Sequence, residues 1–162
     1  SIALESGAEL FCLVPENRQE VTTEGGLDVR KELERVREVS AALAERGGIV
    51  SAFIDPDLDA VEASALAGCR YIELHTGSYA NAKAETREAE LDRLRSACER
   101  AHSLGLGVNA GHGLDLGNVA PVARLPHLEE LNIGFALVSE ALTVGVDTAV
   151  RTMKAVISQA NS

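Results

Sequence analysis

Five short apolar runs recur along the chain, and a polar or amphipathic stretch separates each run from the next. We predict that the runs are β-strands at 10–14, 49–54, 71–74, 105–110 and 128–133. Apolar residues at a spacing of three to four predict amphipathic helices at 27–46, 82–104, 119–124, 135–142 and 146–158, with a further helix that ends at Ala67. This alternation is typical of a parallel sheet covered by helices.

Two folds fit five such units, namely a flavodoxin-like open sheet and a portion of a (β/α)8 TIM barrel. In both folds, active sites lie at the carboxyl ends of the strands, where this chain carries its polar residues: Glu16, Asp55, Glu73, His75, Asn109, His112 and Asn132. Gly134 opens a helix after the last strand, and barrels commonly hold phosphate near their last strands. We therefore predict an α/β chain that is a five-stranded portion of a TIM barrel, with one domain over residues 1–162.

Composition excludes several classes of partner. The net charge is −10, which disfavours nucleic acids and anionic membrane surfaces but not a small anion held by backbone N–H groups. No apolar stretch has the length of a membrane span. The three cysteines form no CxxC pair, so we expect reduced thiols in a cytoplasmic protein, with Cys12 in the core.

The most distinctive short segment is 108–113 (VNAGHG), in which His112 lies between two glycines directly after an apolar run. Glycine permits sharp turns and close approach to a ligand, and histidine can change charge near neutral pH. This pattern indicates a ligand-binding or catalytic histidine, and a surface histidine in a glycine-rich turn remains the alternative.

Glu73 and His75 lie two residues apart on one predicted strand, so their side chains are expected on the same face. They are either a catalytic or substrate-orienting pair, or members of a Glu–His or Glu–Lys ion pair. With His112 they also have the residue types of zinc or iron ligands, but their spacing does not match a metal motif, and we predict no metal.

Two other segments are candidates for ligand contact. Residues 132–135 join the last strand to a helix through Gly134, and the N–H groups at a helix N-terminus favour a phosphate, although such a junction is also common in plain close packing. Residues 16–26 are polar and too long for an ordinary βα connection, which predicts a mobile lid.

Four segments, in order along the chain, resemble the pyridoxine 5′-phosphate synthase family: 13–28 (LVPENRQEVTTEGGLD), 72–77 (IELHTG), 108–113 (VNAGHG) and 130–134 (ELNIG). The resemblance implies a (β/α)8 barrel that condenses 1-deoxy-D-xylulose 5-phosphate with 3-amino-2-oxopropyl phosphate. The implied products are pyridoxine 5′-phosphate, inorganic phosphate and water. No metal or other cofactor is implied.

The resemblance also implies roles for individual residues. His112 would be the proton donor, and Glu73 would stabilise charge in the ring-closing intermediates. Substrate or phosphate would be held by Thr22, Gly113, Gly134 and the backbone of Phe135. The family usually has a histidine where this chain has Phe135, so a contact through the backbone N–H would survive while a side-chain contact would be lost.

By the same resemblance, the chain corresponds to strands four to eight of the barrel and begins within the preceding helix. The first three strands of the family carry the bases for the condensation, so we expect the 162-residue chain alone not to complete it. Homo-oligomers are expected, as in the family. The alternatives are a non-catalytic phosphate-binding half-barrel and another phosphate-binding barrel enzyme, although no lysine lies at a strand end to support Schiff-base chemistry.

Overall fold

A computed structural model describes residues 2–15 and 25–161. Within them the chain alternates between strands and helices, and the five predicted strands are confirmed. The strands are β1 (Leu10–Leu13), β2 (Ile49–Ile54), β3 (Tyr71–His75), β4 (Gly107–Gly111) and β5 (Leu128–Asn132). The helices are α1 (Ile2–Glu5), α2 (Leu33–Ala44), α3 (Leu58–Leu66), α4 (Gly77–Asn81), α5 (Ala84–Ser103), α6 (Val119–Ala123), α7 (Phe135–Val144) and α8 (Val146–Ala160).

The five strands form one parallel sheet in the order β1-β2-β3-β4-β5. The flavodoxin-like order 2-1-3-4-5 requires a reversal that this sheet does not have, so that alternative is wrong for the described strands. Because all strands run the same way, their carboxyl ends lie along one edge of the sheet. The residues after each strand are therefore brought to that common edge.

One face of the sheet packs against helices and forms the core. Side chains alternate along a strand, and the set Ala52, Ile54, Ile72, Leu74, Val108 and Ala110 is fully buried. Helix α5 contributes Leu94, Ala97 and Cys98 to the same core. These aliphatic and small side chains let the helices approach the sheet closely, and Tyr79 is the aromatic member of the buried core cluster among the described residues.

The opposite face of the sheet is polar and partly open. Cys12 lies there and is exposed, so the expectation that it belongs to the core is wrong. Its position in a short apolar run was misleading because β1 lies at the edge of the sheet. Cys69 and Cys98 are buried. Among the described helices, none has the length and apolar character needed to cross a membrane.

Two predicted boundaries differ from the structure. Helix α2 begins at Leu33 rather than at Leu27, because the Leu27 N–H donates to the Phe53 carbonyl at 2.7 Å. A Cβ on Gly26 would lie 2.1 Å from the Asp55 backbone nitrogen, so only glycine allows this close approach. Residues 77–81, which lie before the helix predicted at 82–104, form the short helix α4.

Two other helix boundaries are set by local chemistry. Asp57 caps α3, and its side chain accepts hydrogen bonds from the N–H groups of Asp59 and Ala60. Gly145 separates α7 from α8 with a φ of 83°, a left-handed conformation that favours glycine. The predicted lid, residues 16–26, lies outside the described residues apart from Gly25 and Gly26.

Candidate active site

The loop after β4 holds His112 in an unusual backbone conformation. His112 has a φ of 85° and is followed by Gly113 at 74°. A non-glycine residue in this region costs on the order of 1–3 kcal/mol and persists only where its surroundings hold it. Thr76 holds His112 in this conformation, because its hydroxyl lies 2.7 Å from the Gly111 carbonyl oxygen and 2.5 Å from that of His112. The end of β3 therefore fixes where the imidazole is presented.

His75 packs against the ring of His112, and its hydrogen bond is not made with Glu73. Its Nδ1 lies 3.0 Å from Oδ1 of Asp55, and its ring centroid is 4.9 Å from that of His112. The hydrogen bond from His75 lowers the pKa of Asp55. A Cβ on Gly77 would lie 2.5 Å from Nε2 of His75, so glycine is required for this ring to fit. The predicted pairing of Glu73 with His75 is therefore wrong, because His75 hydrogen-bonds to Asp55 instead.

Glu73 projects from β3 onto the polar face of the sheet. Its Oε2 accepts a hydrogen bond from Nδ2 of Asn132 at 2.9 Å and a weaker one from Sγ of Cys12 at 3.8 Å. Burial raises the pKa of Glu73, while the Asn132 and Cys12 hydrogen bonds lower it and nearby Glu130 raises it further. Glu73 is therefore a desolvated carboxyl group whose charged form depends on two donors.

His112 is shifted toward its neutral form. Burial lowers its pKa first, and the neighbouring His75 lowers it further. At neutral pH the ring is therefore uncharged, with one N–H donor and one acceptor nitrogen. Such an imidazole can exchange a proton with a bound substrate without first breaking an ion pair.

An open cavity of about 820 Å³ brings the predicted site residues together. Glu73, His112, Gly113, Gly134 and Phe135 all line it. Thr22 lies outside the described residues. Gly134 is the residue before α7, whose first N–H groups have no partner within the helix, and the Phe135 side chain is 90% exposed. The cavity therefore combines two ionisable side chains, Glu73 and His112, with a helix N-terminus suited to an anion.

Three polar contacts at this site were not expected from the sequence. They are the Thr76 hydroxyl on the His112 turn, the Asp55 carboxylate on His75, and the Cys12 thiol on Glu73. Each partner is distant in the sequence, so no local pattern indicates the contact. Among the described residues, no group of three or more His, Cys, Asp or Glu side chains is arranged to hold a metal ion.

Stability should depend on pH through Glu73. A raised pKa means that the folded state binds the proton more tightly, so the free energy of unfolding falls as pH rises from 4.5 through the raised pKa. Glu73→Gln removes the titrating carboxyl group and with it this pH dependence. The variant is expected to be more stable than the native protein at neutral pH but not well below pH 4.5. Urea unfolding across that interval measures the difference.

The matched control is Glu99→Gln, because Glu99 is exposed on α5. It should leave the pH dependence of unfolding unchanged. An equal pH dependence in native protein and Glu73→Gln would show that burial of Glu73 does not contribute to it.

The chain matches the family model described as "Pyridoxal phosphate biosynthesis protein PdxJ" over residues 1–159. The chain belongs to this family. Among curated PdxJ relatives, one from a Synechococcus strain is named pyridoxine 5′-phosphate synthase and is 53% identical, with 95% of this chain and 65% of the relative covered. One from Photobacterium profundum has the same name and is 49% identical, with 95% and 64% covered.

The chain thus spans just under two thirds of the length of these PdxJ relatives. Among solved structures, a chain in the Amycolatopsis orientalis BexX/CysO complex is similar with a TM-score of 0.59 and 21% identity. That alignment covers 97% of this chain and 60% of the other. At this identity the likeness concerns the fold alone.

Proposed function

We propose that this chain acts in a pyridoxine 5′-phosphate synthase. The reaction condenses 1-deoxy-D-xylulose 5-phosphate with 3-amino-2-oxopropyl phosphate to pyridoxine 5′-phosphate, inorganic phosphate and water. Family membership and the names of relatives near 50% identity support this reaction. The observation that carries the proposal is that Glu73, His112 and Gly134 line the same cavity at the carboxyl edge of the sheet.

In this proposal the two ionisable groups have different roles. His112 is neutral at rest, so it first takes a proton from the substrate on its acceptor nitrogen and then, as the imidazolium, donates that proton to the leaving oxygen. Its strained turn and the Thr76 hydroxyl keep the ring in place during both transfers. The Glu73 carboxylate stabilises positive charge that develops as the ring closes. Because Glu73 is desolvated, that interaction is stronger than it would be in water.

Phosphate binding is assigned to backbone groups. The N-terminus of α7 offers N–H groups of Phe135 and its neighbours, and Gly113 and Gly134 leave room beside them. Thr22 is proposed as a further substrate contact, as the family resemblance implies. The partners are small phosphorylated molecules, and the net charge of −10 argues against nucleic acid.

We propose a (β/α)8 barrel as the complete architecture, with the five described strands as strands four to eight and residues 1–162 in one domain. Their parallel, sequential order and the polar residues along one edge support this architecture. The fold-level likeness to the BexX-complex chain, at a TM-score of 0.59, is compatible with it. We further propose a homo-oligomer located in the cytoplasm, without metal or other cofactor.

The direct test is an assay of the full-length protein with both phosphorylated substrates. Pyridoxine 5′-phosphate and inorganic phosphate should be released in equal amounts, and product should not form when either substrate is left out. A protein that binds both substrates without releasing either product would contradict the proposed activity and favour a phosphate-binding role.

Replacing Phe135 with histidine should change phosphate affinity little, because the proposed contact is the backbone N–H and the native side chain points into solvent. Inorganic phosphate titrated into native protein and Phe135→His by calorimetry gives the comparison. A gain on the order of tenfold, about 1.4 kcal/mol, would show instead that an imidazole side chain contributes to binding at this position.

A further inference from the structure

Glu73 and Asn132 belong to strands that are not neighbours. Glu73 lies on β3 and Asn132 ends β5, with β4 between them. Their side chains nevertheless meet, because Nδ2 of Asn132 lies 2.9 Å from Oε2 of Glu73. This contact reaches over the intervening strand on the polar face of the sheet.

Gly111 is the reason that the two side chains can meet. It pairs with His75 on one side and with Asn132 on the other. A Cβ at Gly111 would lie 3.0 Å from Oε1 of Glu73 and 3.1 Å from Cβ of Asn132. The missing side chain leaves a space over β4 that the carboxylate and the amide fill.

The surroundings of Glu73 make the amide donor important. Of the groups that face the carboxylate, the Cys12 thiol on β1 is a weaker donor at 3.8 Å, and Glu130 on β5 is a like charge. His112 lies across the same cavity. Burial and Glu130 both disfavour the charged form of Glu73. Two hydrogen bonds to the carboxylate favour it, and the one from Asn132 is the shorter.

We propose that Asn132 is a positioning residue, which holds the Glu73 carboxylate in one orientation across Gly111 and keeps it in the charged form. This inference rests on the proposed function, in which Glu73 stabilises developing positive charge. The Asn132 amide and the Cys12 thiol both donate to Oε2, which leaves Oε1 available to a substrate in this proposal. Asn132 therefore acts through Glu73 rather than on the reacting atoms.

The first arm of the test does not require catalysis. Carbon-13 NMR of the Glu73 carboxyl group in the full-length protein follows its titration in native protein, Asn132→Leu and the milder Asn132→Ser. The pKa of Glu73 should rise in both variants, because leucine has no donor and the serine hydroxyl lies on a shorter side chain than the amide. The matched control is Asn161→Leu, since Asn161 lines a separate cavity with Leu128 and Lys154, and it should leave the titration unchanged.

The second arm measures turnover. Asn132→Leu should lower kcat on the order of tenfold, as expected for a lost hydrogen bond to a charged group, with a smaller change in KM. The acid limb of the pH profile should move to higher pH. In a Glu73→Gln background, Asn132→Leu should cause no further loss, because the carboxylate that it positions is gone.

The outcomes separate the two proposals. An unchanged Glu73 titration in both Asn132 variants, or losses in kcat that multiply in the double variant, would overturn the positioning role while native turnover still supported the proposed function. A native protein that forms no pyridoxine 5′-phosphate would overturn the proposed function. The NMR arm would still decide whether Asn132 controls Glu73.

Discussion

Replacing His112 with alanine is expected to lower turnover by about 10²–10⁴-fold while the protein stays folded. The imidazole is the proposed proton donor, and alanine removes both of its nitrogen atoms. The Thr76 hydroxyl holds the left-handed turn at 85° through the backbone carbonyls of Gly111 and residue 112, and alanine keeps both carbonyls. His112 is exposed, so little packing is lost. Steady-state kinetics and thermal unfolding measure the two effects separately.

The control for this prediction is His102→Ala. His102 lies in the last turn of α5, where its ring stacks on His127 at 3.7 Å, outside the cavity that contains His112. Its removal should leave kcat within about twofold, well below the 10²-fold expected at His112. Native-like turnover in purified His112→Ala would exclude His112 as the proton donor, and a collapse in its melting temperature would show that the histidine is structural.

Truncating Leu94 to alanine is expected to lower the free energy of unfolding by about 2–5 kcal/mol. Leu94 is fully buried on α5, in the core between the helices and the sheet. Such a change leaves a cavity that the surrounding strands can fill only in part. Because domains are stable by only about 5–15 kcal/mol, the loss is a large share of the total. Urea unfolding followed by circular dichroism measures it.

Leu66 provides the matched control, since its side chain is 66% exposed at the end of α3. Leu66→Ala makes the same chemical change but should alter stability by at most about 0.5 kcal/mol. Equal losses in the two variants would contradict the assignment of Leu94 to the core and of α5 to the covering layer.

The polar contacts of the site show which features the sequence predicts and which it does not. The spacing of Glu73 and His75 predicts that they share a strand face, and the structure places both on β3. Which partner each of them takes did not follow from the spacing. His75 pairs with Asp55, twenty positions away, and Glu73 with Asn132, 59 positions away. Those partners depend on strand order and register, which no local pattern encodes.

Helix boundaries show the same difference between features that local sequence predicts and features that depend on tertiary contacts. The start of α3 at Asp57 follows from local chemistry, because a capping carboxylate needs only the N–H groups of the next turn. The start of α2 does not, since the backbone bond from Leu27 to the Phe53 carbonyl keeps the preceding residues out of the helix. Tertiary contacts override helical periodicity at that point.

The sequence alone therefore determined the five strands, most of the helices, the glycine-flanked turn at His112 and membership of a family, because hydrophobic periodicity and motifs are local properties of the chain. Only the tertiary structure decided the sequential strand order, the exposure of Cys12 and the contact of Asn132 with Glu73 over Gly111. Each of these depends on which distant segments become neighbours. Burial then sets the charge state of Glu73, since desolvation arises only when those segments pack around it.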